Sequence, residues 1–339
     1  MKAFEISEFG INALQLVDRP EPRPGVGQVL VKIRAASLNY RDLLVIKGQY
    51  NPRMPLPRIP LSDGAGEVIE VGSEVTRFRI GDRVVAAFMQ TWLGGPVTES
   101  YGRSALGGAI DGVLAEFALF NEEGLLPIPR HLSFEEAATL PCAGVTAWNA
   151  ITGGGTRSGD SVLVIGTGGV SLFALQFAQN RGARVIVLSG SNEKLEKARQ
   201  LGASGAINYK TTPDWDQRVL ELTGGRGVDH IVEVGGAGTL QRSLNAVRVG
   251  GRISLIGVLA PAPGAASPSL LPVIMKAIQI QGVFVGSREM FEVMNQTLSE
   301  HPLKPILDRV FPFSEIKDAL HYMESAAHFG KISIRFEGL

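Results

Sequence analysis

The sequence predicts an α/β protein of two domains, one rich in β-strands and one built on a doubly wound parallel sheet. The chain has 339 residues, which is long enough for two hydrophobic cores. Residues 29–35 and 66–71 alternate apolar with polar side chains between Gly and Pro turns, a pattern typical of strands with one buried face. From about Ser133 onward, short apolar runs alternate with helical stretches, as they do in βαβ units.

Six apolar runs predict the strands of the parallel sheet. They cover residues 161–165, 184–188, 206–207, 230–234, 252–256 and 278–285. The segment 305–339 returns to short strand and helix signals, and residues 331–336 alternate like the first strands. We therefore expect it to rejoin the β-rich domain, so that residues 1–125 and 303–339 form one domain and residues 126–302 form the other.

The composition excludes several classes of partner. With 33 basic and 33 acidic residues the net charge is zero, so neither nucleic acid nor a membrane surface is expected as a partner. The most apolar stretch, residues 161–177, is interrupted by glycines and is typical of a strand followed by a helix. Glu5 and Glu8 stand where a secretory signal would be apolar, so we expect a cytoplasmic protein. The single cysteine, Cys142, excludes an internal disulfide.

A glycine cluster lies between the first apolar run of the predicted sheet and the helix that follows it. Gly166 would permit a tight turn there, and Gly168 would let backbone N–H groups approach a pyrophosphate at the helix N-terminus. Ser171 replaces the usual third glycine and is small enough for close packing. The cluster predicts a dinucleotide site, and the alternative is an ordinary strand-to-helix turn. The turn residues assigned to the cofactor are Gly166, Thr167, Gly168, Gly169 and Val170.

The end of the second strand predicts the type of dinucleotide. An NAD site usually has Asp or Glu at this position to hold the ribose hydroxyls, whereas this chain has Ser189. A 2′-phosphate would meet no carboxylate there, and Ser191 and Lys194 would supply hydrogen bonds and positive charge. We therefore predict NADP(H) as the cofactor. The alternative interpretation is that Lys194 is a solvated helix residue.

A long insertion lies within the first domain. Residues 89–112 are rich in Gly, Ser and Thr and form a longer connection than most in compact domains. They include Trp92 and Tyr101. Two interpretations stay open, a floppy surface insertion and a lid over the active site.

Several ordered motifs resemble those of the medium-chain dehydrogenase/reductase family, over nearly the whole chain. Within that family the chain is similar to the quinone oxidoreductase and enoyl reductase branches. The resemblance implies a GroES-like β-barrel catalytic domain, a Rossmann domain with a doubly wound six-stranded parallel sheet, and an active-site cleft between them. It also implies a homodimer formed through the last strand, within residues 278–285. The matching segments are residues 36–42, 59–68, 81–84, 140–148 and 329–332, together with the glycine cluster.

The resemblance also implies that this chain lacks the catalytic zinc of the alcohol dehydrogenases in the family. Asn39 stands where the first Cys ligand would be, and Ser62 and Asp63 stand where a His and a Glu would be. Only Cys142 matches the usual ligand at its position. Because amide and hydroxyl groups are poor zinc ligands, we predict no metal site.

By resemblance, further residues are assigned to the cofactor. Glycines at strand ends also suit plain turn chemistry, so this second interpretation stays open for them. The residues assigned in this way are Asn39, Tyr40, Thr146, Gly235, Gly257, Val258, Phe284, Gly286, Ser287 and Lys331.

These assignments predict a reductase. Without a metal to stabilise an alkoxide, hydride transfer to a quinone or an α,β-unsaturated carbonyl compound is favoured over alcohol oxidation. Asn39 and Tyr50 are the catalytic candidates. Tyr50 lies in a turn, residues 48–52, that resembles the Gly-x-Tyr-Pro turn of enoyl reductases, although it would equally suit packing at a domain edge. The alternatives are a non-catalytic NADPH-binding sensor or structural protein and a zinc alcohol dehydrogenase with altered ligands.

Overall fold

The computed structural model describes residues 1–257 and 267–337, and the chain divides into two compact units. The split unit comprises Met1–Val145 and Val285–Leu339, and the central unit comprises Thr146–Phe284. These compact units divide after Val145 and after Phe284, whereas the sequence places the domain boundaries after residues 125 and 302.

The split unit is built mainly on antiparallel β-structure, with a parallel pair between its last two strands. A seven-stranded sheet has the order β14-β15-β3-β4-β5-β7, with β6 paired to β3, and β1 and β2 form a separate hairpin. The C-terminal strand pairs with β3 and so rejoins the first domain, as predicted. Its strands are β1 (Lys2–Ile6), β2 (Leu14–Asp18), β3 (Gln28–Ser37), β4 (Asp63–Val71), β5 (Arg83–Ala86), β6 (Phe117–Asn121), β7 (Leu125–Pro127), β14 (Leu307–Pro312) and β15 (Lys331–Arg335).

Side-chain contacts explain why residues on both sides of the central unit belong to the split unit. The hydroxyl of Ser37 on β3 donates to the carbonyl of Ala138 at 2.9 Å. The amide of Asn295 donates to the carbonyl of Pro127 at the end of β7, at 3.2 Å. The helices of this unit are α1 (Tyr40–Ile46), α2 (Glu99–Gly102), α3 (Phe134–Ala137), α10 (Arg288–Glu300) and α11 (Ile316–Glu324), and a wide helical turn covers Leu140–Gly144.

The insertion 89–112 is packed against its own unit. Arg41, outside the insertion, donates to the Leu106 carbonyl at 2.7 Å, and within the insertion Trp92 is 3% exposed and stacks on Tyr101 with ring centroids 6.0 Å apart. The interpretation as a floppy insertion is therefore wrong. Its interpretation as a lid stays a prediction.

The central unit contains a six-stranded, fully parallel sheet in the order β10-β9-β8-β11-β12-β13. This is the doubly wound arrangement that the sequence predicts. All residues of β8 are buried, as expected for a strand covered on both faces. Its strands are β8 (Ser161–Ile165), β9 (Arg184–Ser189), β10 (Gly205–Asn208), β11 (Val228–Glu233), β12 (Val247–Leu255) and β13 (Gln279–Gly282).

Helices connect most of these strands. The helix after β8 begins at Gly169, immediately beyond the glycine turn. No helix in residues 1–257 and 267–337 is long and apolar enough to cross a membrane. The helices of this unit are α4 (Val145–Gly153, which begins at the last residue of the split unit), α5 (Gly169–Asn180), α6 (Asn192–Gln200), α7 (Trp215–Leu222), α8 (Leu240–Ala246) and α9 (Leu271–Met275).

Candidate functional site

The glycine turn in the central unit has the geometry of a phosphate cradle. Gly166 has φ +80°, a conformation that favours glycine, and its N–H donates to the Leu188 carbonyl at 2.8 Å. Gly168 caps α5 without a side-chain hydrogen bond, and a Cβ built on it would meet no atom of the described residues within 4 Å. The space beside the N-terminus of α5 is therefore open at Gly168, and the helix dipole favours an anion there. The turn fits the pyrophosphate of a dinucleotide.

Ser171 fills the position of the third glycine without disturbing this turn. Its hydroxyl donates to the carbonyl of Ile165, the last residue of β8, at 2.7 Å. The side chain is 2% exposed, so the helix stays close to the strand. Thr167, Gly169 and Val170 lie in the same turn or the first turn of α5, where the sequence predicts them.

The end of β9 has no carboxylate, in agreement with the sequence. Ser189 is 4% exposed, and its Oγ accepts from the N–H of Ser191 at 3.4 Å. Ser191 is the N-cap of α6, and its Oγ accepts from the N–H of Lys194 at 3.3 Å. These bonds hold the three predicted residues around the first turn of one helix.

Two residues that sequence reasoning missed lie beside this group. β10 pairs with β9, so Tyr209 and Lys210, which follow β10, come next to Gly190. A Cβ built on Gly190 would lie 2.7 Å from the Tyr209 hydroxyl and 2.9 Å from Cε of Lys210. The adjacency of strand ends in a parallel sheet is the signal that points to them, because neighbouring parallel strands end at the same edge.

The turn after β11 is built around a buried carboxylate. Glu233 is fully buried, and its Oε1 accepts from the N–H groups of Gly235 and Gly236 at 2.8 and 3.0 Å and from the Thr239 hydroxyl at 2.6 Å. Its Oε2 accepts from the hydroxyl of Ser243. The predicted residue Gly235 is thus held in a rigid turn, although the sequence did not identify Glu233 as the cause.

Other predicted cofactor residues of the central unit lie near strand ends. A Cβ on Gly257, after β12, would lie 1.9 Å from the carbonyl oxygen of Val234, so this position requires glycine. Phe284 follows β13 and is 44% exposed. Thr146, in the first turn of α4, is 3% exposed. Val258 lies outside the described residues.

Two further predicted residues lie in the split unit at the start of α10. Ser287 is the N-cap of this helix, and its Oγ accepts from the N–H of Met290 at 3.2 Å. A Cβ on Gly286 would meet a methyl of Val145 at 2.6 Å, so the chain needs a small residue there.

A largely buried polar cluster in the split unit comprises Asn39, Ser62, Asp63 and Cys142, which stand where zinc ligands would be expected, together with Lys331. Asn39 Nδ2 lies 3.5 Å from Ser62 Oγ, and the Ser62 hydroxyl donates to Asp63 Oδ1 at 2.7 Å. The N–H of Cys142 donates to Asp63 Oδ2 at 3.2 Å. Lys331 donates through Nζ to Asn39 Oδ1 at 2.7 Å, and its side chain is buried. The sequence predicts Lys331 as a nucleotide contact and does not predict this neighbourhood.

Burial perturbs the titration of the cluster and its neighbour Asp42. It raises the pKa of Asp63, although the Lys331 ammonium acts in the opposite direction. It lowers the pKa of Lys331 and raises that of the Cys142 thiol, to which Asp63 also contributes. Burial raises the pKa of Asp42, which accepts from the N–H of Asn39 at 2.8 Å, to about 6.

These donors do not suit a zinc ion. The Asn39 amide oxygen already accepts from an ammonium, and both oxygens of Asp63 are hydrogen-bonded. A divalent cation would be repelled by Lys331 at close range. Within residues 1–257 and 267–337, no group of three or more His, Cys, Asp or Glu side chains is placed to hold a metal.

The aromatic ring of Tyr50 contacts the guanidinium of Arg41 in the split unit. The Arg41 guanidinium is 5.1 Å from the centre of the Tyr50 ring and 4.8 Å from that of Phe88, and it donates to the Leu106 carbonyl at 2.7 Å. Tyr50 is 46% exposed, and Tyr40 is 42% exposed at the start of α1. Arg41 therefore connects Tyr50 with the insertion 89–112, a contact that the sequence did not predict.

Comparisons with known proteins agree with both units. Residues 25–130 match the family model of the alcohol dehydrogenase GroES-like domain, and residues 169–300 match that of zinc-binding dehydrogenases. A zinc-type alcohol dehydrogenase-like protein of Schizosaccharomyces pombe is 46% identical over 92% of this chain and 91% of its own length. An acryloyl-coenzyme A reductase of Metallosphaera sedula is 30% identical over 92% of this chain and 93% of its own.

A solved structure is similar to this chain in fold as well as in sequence. The crystal structure of an NAD-dependent alcohol dehydrogenase superposes with a TM-score of 0.90 at 34% identity, covering 99% of each chain. The GroES-like domain, the six-stranded parallel sheet and its glycine turn thus define a nicotinamide-dependent oxidoreductase. The chain belongs to the medium-chain dehydrogenase/reductase family, in its alcohol dehydrogenase-like group.

Proposed function

We propose that this protein is a zinc-independent, NADP(H)-dependent oxidoreductase that reduces a quinone or an α,β-unsaturated carbonyl compound. The observation that carries the proposal is the buried ammonium of Lys331, which donates to Asn39 where relatives with zinc would have a ligand. Because no metal would stabilise an alkoxide there, oxidation of a simple alcohol loses its main source of charge stabilisation. An activated acceptor needs only hydrogen-bond donors and a source of protons.

The chain's own residues would bind and orient the reactants. When bound, NADPH supplies the hydride. Asn39 contributes an amide donor, and Tyr50 contributes a hydroxyl on a half-exposed ring whose face contacts the Arg41 guanidinium. We propose Tyr50 as the proton donor for enones. For quinones, whose reduced oxygens are open to water, solvent would supply the proton.

The preference for NADP(H) rests on the end of β9. Ser189 presents no carboxylate to a 2′-phosphate, and Lys194 belongs to the helix that follows. The neighbouring residues Tyr209 and Lys210 add a hydroxyl donor and a second cation. These groups match what a phosphate monoester needs, namely charge and hydrogen-bond donors without a competing acid.

The substrate class is supported by Asn39 and Ser62, which stand where zinc ligands would be, and by the relative named acryloyl-coenzyme A reductase. The relative named zinc-type alcohol dehydrogenase-like protein favours a second candidate, an alcohol dehydrogenase with altered ligands. A third candidate, a protein that binds NADPH without turning it over, shares the fold and the glycine turn.

The test is oxidation of NADPH and NADH by chelator-treated protein with quinones, enones, enoyl thioesters, aldehydes and ketones. We expect turnover of a quinone or an enone with NADPH and weaker turnover with NADH. Reversible alcohol oxidation that is lost with the chelator and restored by zinc would establish the second candidate. Tight binding of NADPH with no turnover of any acceptor would establish the third.

We also propose that the protein is a homodimer formed through β13. This strand is at the edge of the sheet and pairs only with β12 among the described residues. The adjacent helix α9 exposes Leu271, Ile274 and Met275, each more than 60% exposed. A second copy would pair with the edge and cover this apolar surface. A monomeric mass in solution at micromolar concentration would contradict the proposal, and the cytoplasmic location stays a prediction.

A further inference from the structure

The bond between Lys331 and Asn39 fixes the orientation of the Asn39 amide. Lys331 Nζ donates to Asn39 Oδ1 at 2.7 Å and to the Leu38 carbonyl, and the lysine is 3% exposed. An ammonium carries only donors, so the amide atom that faces it must be the oxygen. Asn39 Nδ2 is therefore turned away from Lys331 and lies 3.5 Å from Ser62 Oγ.

The hydrogen bonds of Ser62 and Asp63, at the other end of the buried polar cluster, require the same orientation of the Asn39 amide. The Ser62 hydroxyl has a single proton, which it donates to Asp63 Oδ1 at 2.7 Å. Ser62 Oγ therefore has only acceptor capacity left for Asn39 Nδ2. Asp63 in turn accepts at its second oxygen from the N–H of Cys142. Each of the three hydrogen bonds in this series, from Lys331 to Asn39, from Asn39 to Ser62 and from Ser62 to Asp63, thus has one allowed direction.

We propose that Lys331 is a positioning residue, whose ammonium holds Asn39 so that the amide presents its remaining N–H donor, and not its oxygen, to the reactants. Lys331 then acts through Asn39 rather than by its own contact with the nucleotide. The kinetic consequence of this proposal rests on the proposed function, whereas its effects on stability and on nucleotide binding do not depend on an identified acceptor.

The charges of the cluster support this role. The Asp63 carboxyl group and the Lys331 amine each favour the charged form of the other, which opposes the effect of burial on their pKa values, and the nearby Asp42 has the Arg41 guanidinium 4.0 Å away. A cation that is buried and compensated in this way keeps one geometry, because moving it would expose an unpaired charge to an apolar interior. The same ammonium explains why these residues do not suit a divalent metal.

The experiment is a double-mutant cycle with Lys331→Met, Asn39→Ala and the double variant. Three quantities are measured for each protein: the NADPH dissociation constant by fluorescence, kcat with the acceptor found active, and the melting temperature. We expect Lys331→Met to reproduce the effect of Asn39→Ala on kcat, a loss on the order of 10- to 100-fold. The double variant should be no worse than Asn39→Ala in kcat or in NADPH affinity, because both single changes remove the same oriented donor.

Two more variants separate positioning from a purely structural role. Asn39→Asp keeps an acceptor for Lys331 but has no N–H donor, so it should lose as much kcat as Asn39→Ala while its melting temperature falls less. Lys276 is the matched control, since its Nζ donates to the carbonyls of Leu244, Asn245 and Val247 in the central unit. Lys276→Met should lower the melting temperature and leave kcat and the NADPH affinity unchanged.

Three results would overturn the proposal. Losses in kcat or NADPH affinity that multiply in the double variant would mean that Lys331 contacts the nucleotide by itself. An unchanged kcat in Lys331→Met, or a fully active Asn39→Asp, would mean that the orientation of the amide is irrelevant. If the wild-type protein neither binds nor oxidises NADPH, the proposed function fails, and the melting temperatures alone then test the positioning bond. A fall in the melting temperature of the double variant equal to the sum of the falls in the two single variants would exclude the bond.

Discussion

His230 shows how a single buried residue couples the fold to pH. It lies on β11 with 2% exposure, and its two ring nitrogens pair with the hydroxyls of Thr156 and Ser254 at 2.9 and 2.8 Å. Burial, together with the positive charge of Arg252, lowers its pKa from 6.5 to about 4. The folded protein therefore keeps this imidazole neutral in a pH range where an unfolded chain would bind a proton.

This shift predicts a loss of stability in acid. Because the folded pKa lies below the unfolded one, the contribution of His230 is complete above about pH 6.5 and decreases as the pH falls toward 4. At pH 4.5 the loss amounts to roughly 2–3 kcal/mol. His230→Gln does not titrate, so the stability difference between wild type and variant should shrink by this amount between pH 7 and pH 4.5 in urea unfolding.

The comparison with a variant is needed because Asp42 titrates with the opposite sign. Its folded pKa is raised to about 6, so its contribution improves as the pH falls through this value. Taking the difference between wild type and His230→Gln removes the Asp42 contribution, which both proteins share. The exposed His301 provides the control variant, His301→Gln. The prediction would be contradicted if the free energies of unfolding of wild type and His230→Gln differed by the same amount at pH 7 and at pH 4.5.

Ser189 gives a prediction on the choice of cofactor. Ser189→Asp places a carboxylate at the end of β9, where it would repel a 2′-phosphate and accept hydrogen bonds from ribose hydroxyls. We expect the NADPH dissociation constant to rise at least about tenfold, equivalent to about 1.4 kcal/mol, while that of NADH falls. Ser158→Asp, on an exposed loop before β8, makes the same change in net charge and should leave both constants unchanged. Equal weakening of both nucleotides by Ser189→Asp would point to misfolding of the turn.

At the scale of single residues, the sequence predicted those whose role follows from their place after a particular strand. It missed those whose role depends on a residue that is distant in the chain and close in the fold. Gly166, Ser189 and the replacement of zinc ligands follow from their places after particular strands. The bond from Lys331 to Asn39 joins residues 292 positions apart. Because no periodicity or local motif encodes such a contact, only the folded structure identifies it.

At the scale of elements, the turn between β8 and α5 offers a substitution that should weaken nucleotide binding without lowering the stability of the fold. A Cβ at Gly168 would meet no atom within 4 Å in the part of the chain that the structure describes, and the backbone there has φ −82°, which any residue adopts. Gly168→Ala should therefore leave the free energy of unfolding within about 0.5 kcal/mol of wild type. The added methyl would stand where the backbone approaches a pyrophosphate, so the NADPH dissociation constant, measured by fluorescence titration, should rise at least about tenfold.

Two glycine variants provide the controls for this prediction. Gly257→Ala would bring a Cβ within 1.9 Å of the Val234 carbonyl oxygen and should destabilise the protein whether or not NADPH is present. Gly102→Ala, at the end of α2, also meets no atom within 4 Å and should change neither stability nor binding. If Gly168→Ala binds NADPH as tightly as wild type, the cofactor does not approach this turn.

The strands of the parallel sheet were predictable because each is an apolar run bounded by turns. The six predicted runs overlap β8 to β13, and the order of the strands is the doubly wound one. The domain boundaries were less predictable. Residues 126–145 and 285–302 continue the αβ pattern in sequence, yet Pro127 pairs with β5, Ala138 accepts from Ser37 on β3, and Asn295 donates to Pro127, which links both segments to the split unit. Tertiary contacts of this kind override the local pattern.

For the whole molecule, stability should depend on the nucleotide and not on a metal. A ligand that binds only the folded state at 100 times its dissociation constant adds about 2.7 kcal/mol, which corresponds to a rise in melting temperature on the order of 5 °C. We expect this rise with NADPH and a smaller one with the same concentration of NADH. A chelator should leave the melting temperature unchanged, and added zinc should not raise it, because the ammonium of Lys331 already pairs with the Asn39 oxygen. A fall in melting temperature with the chelator that zinc reverses would mean that a metal holds part of the fold. Equal rises with NADPH and NADH would instead show that the groups around Ser189 do not discriminate between the two nucleotides.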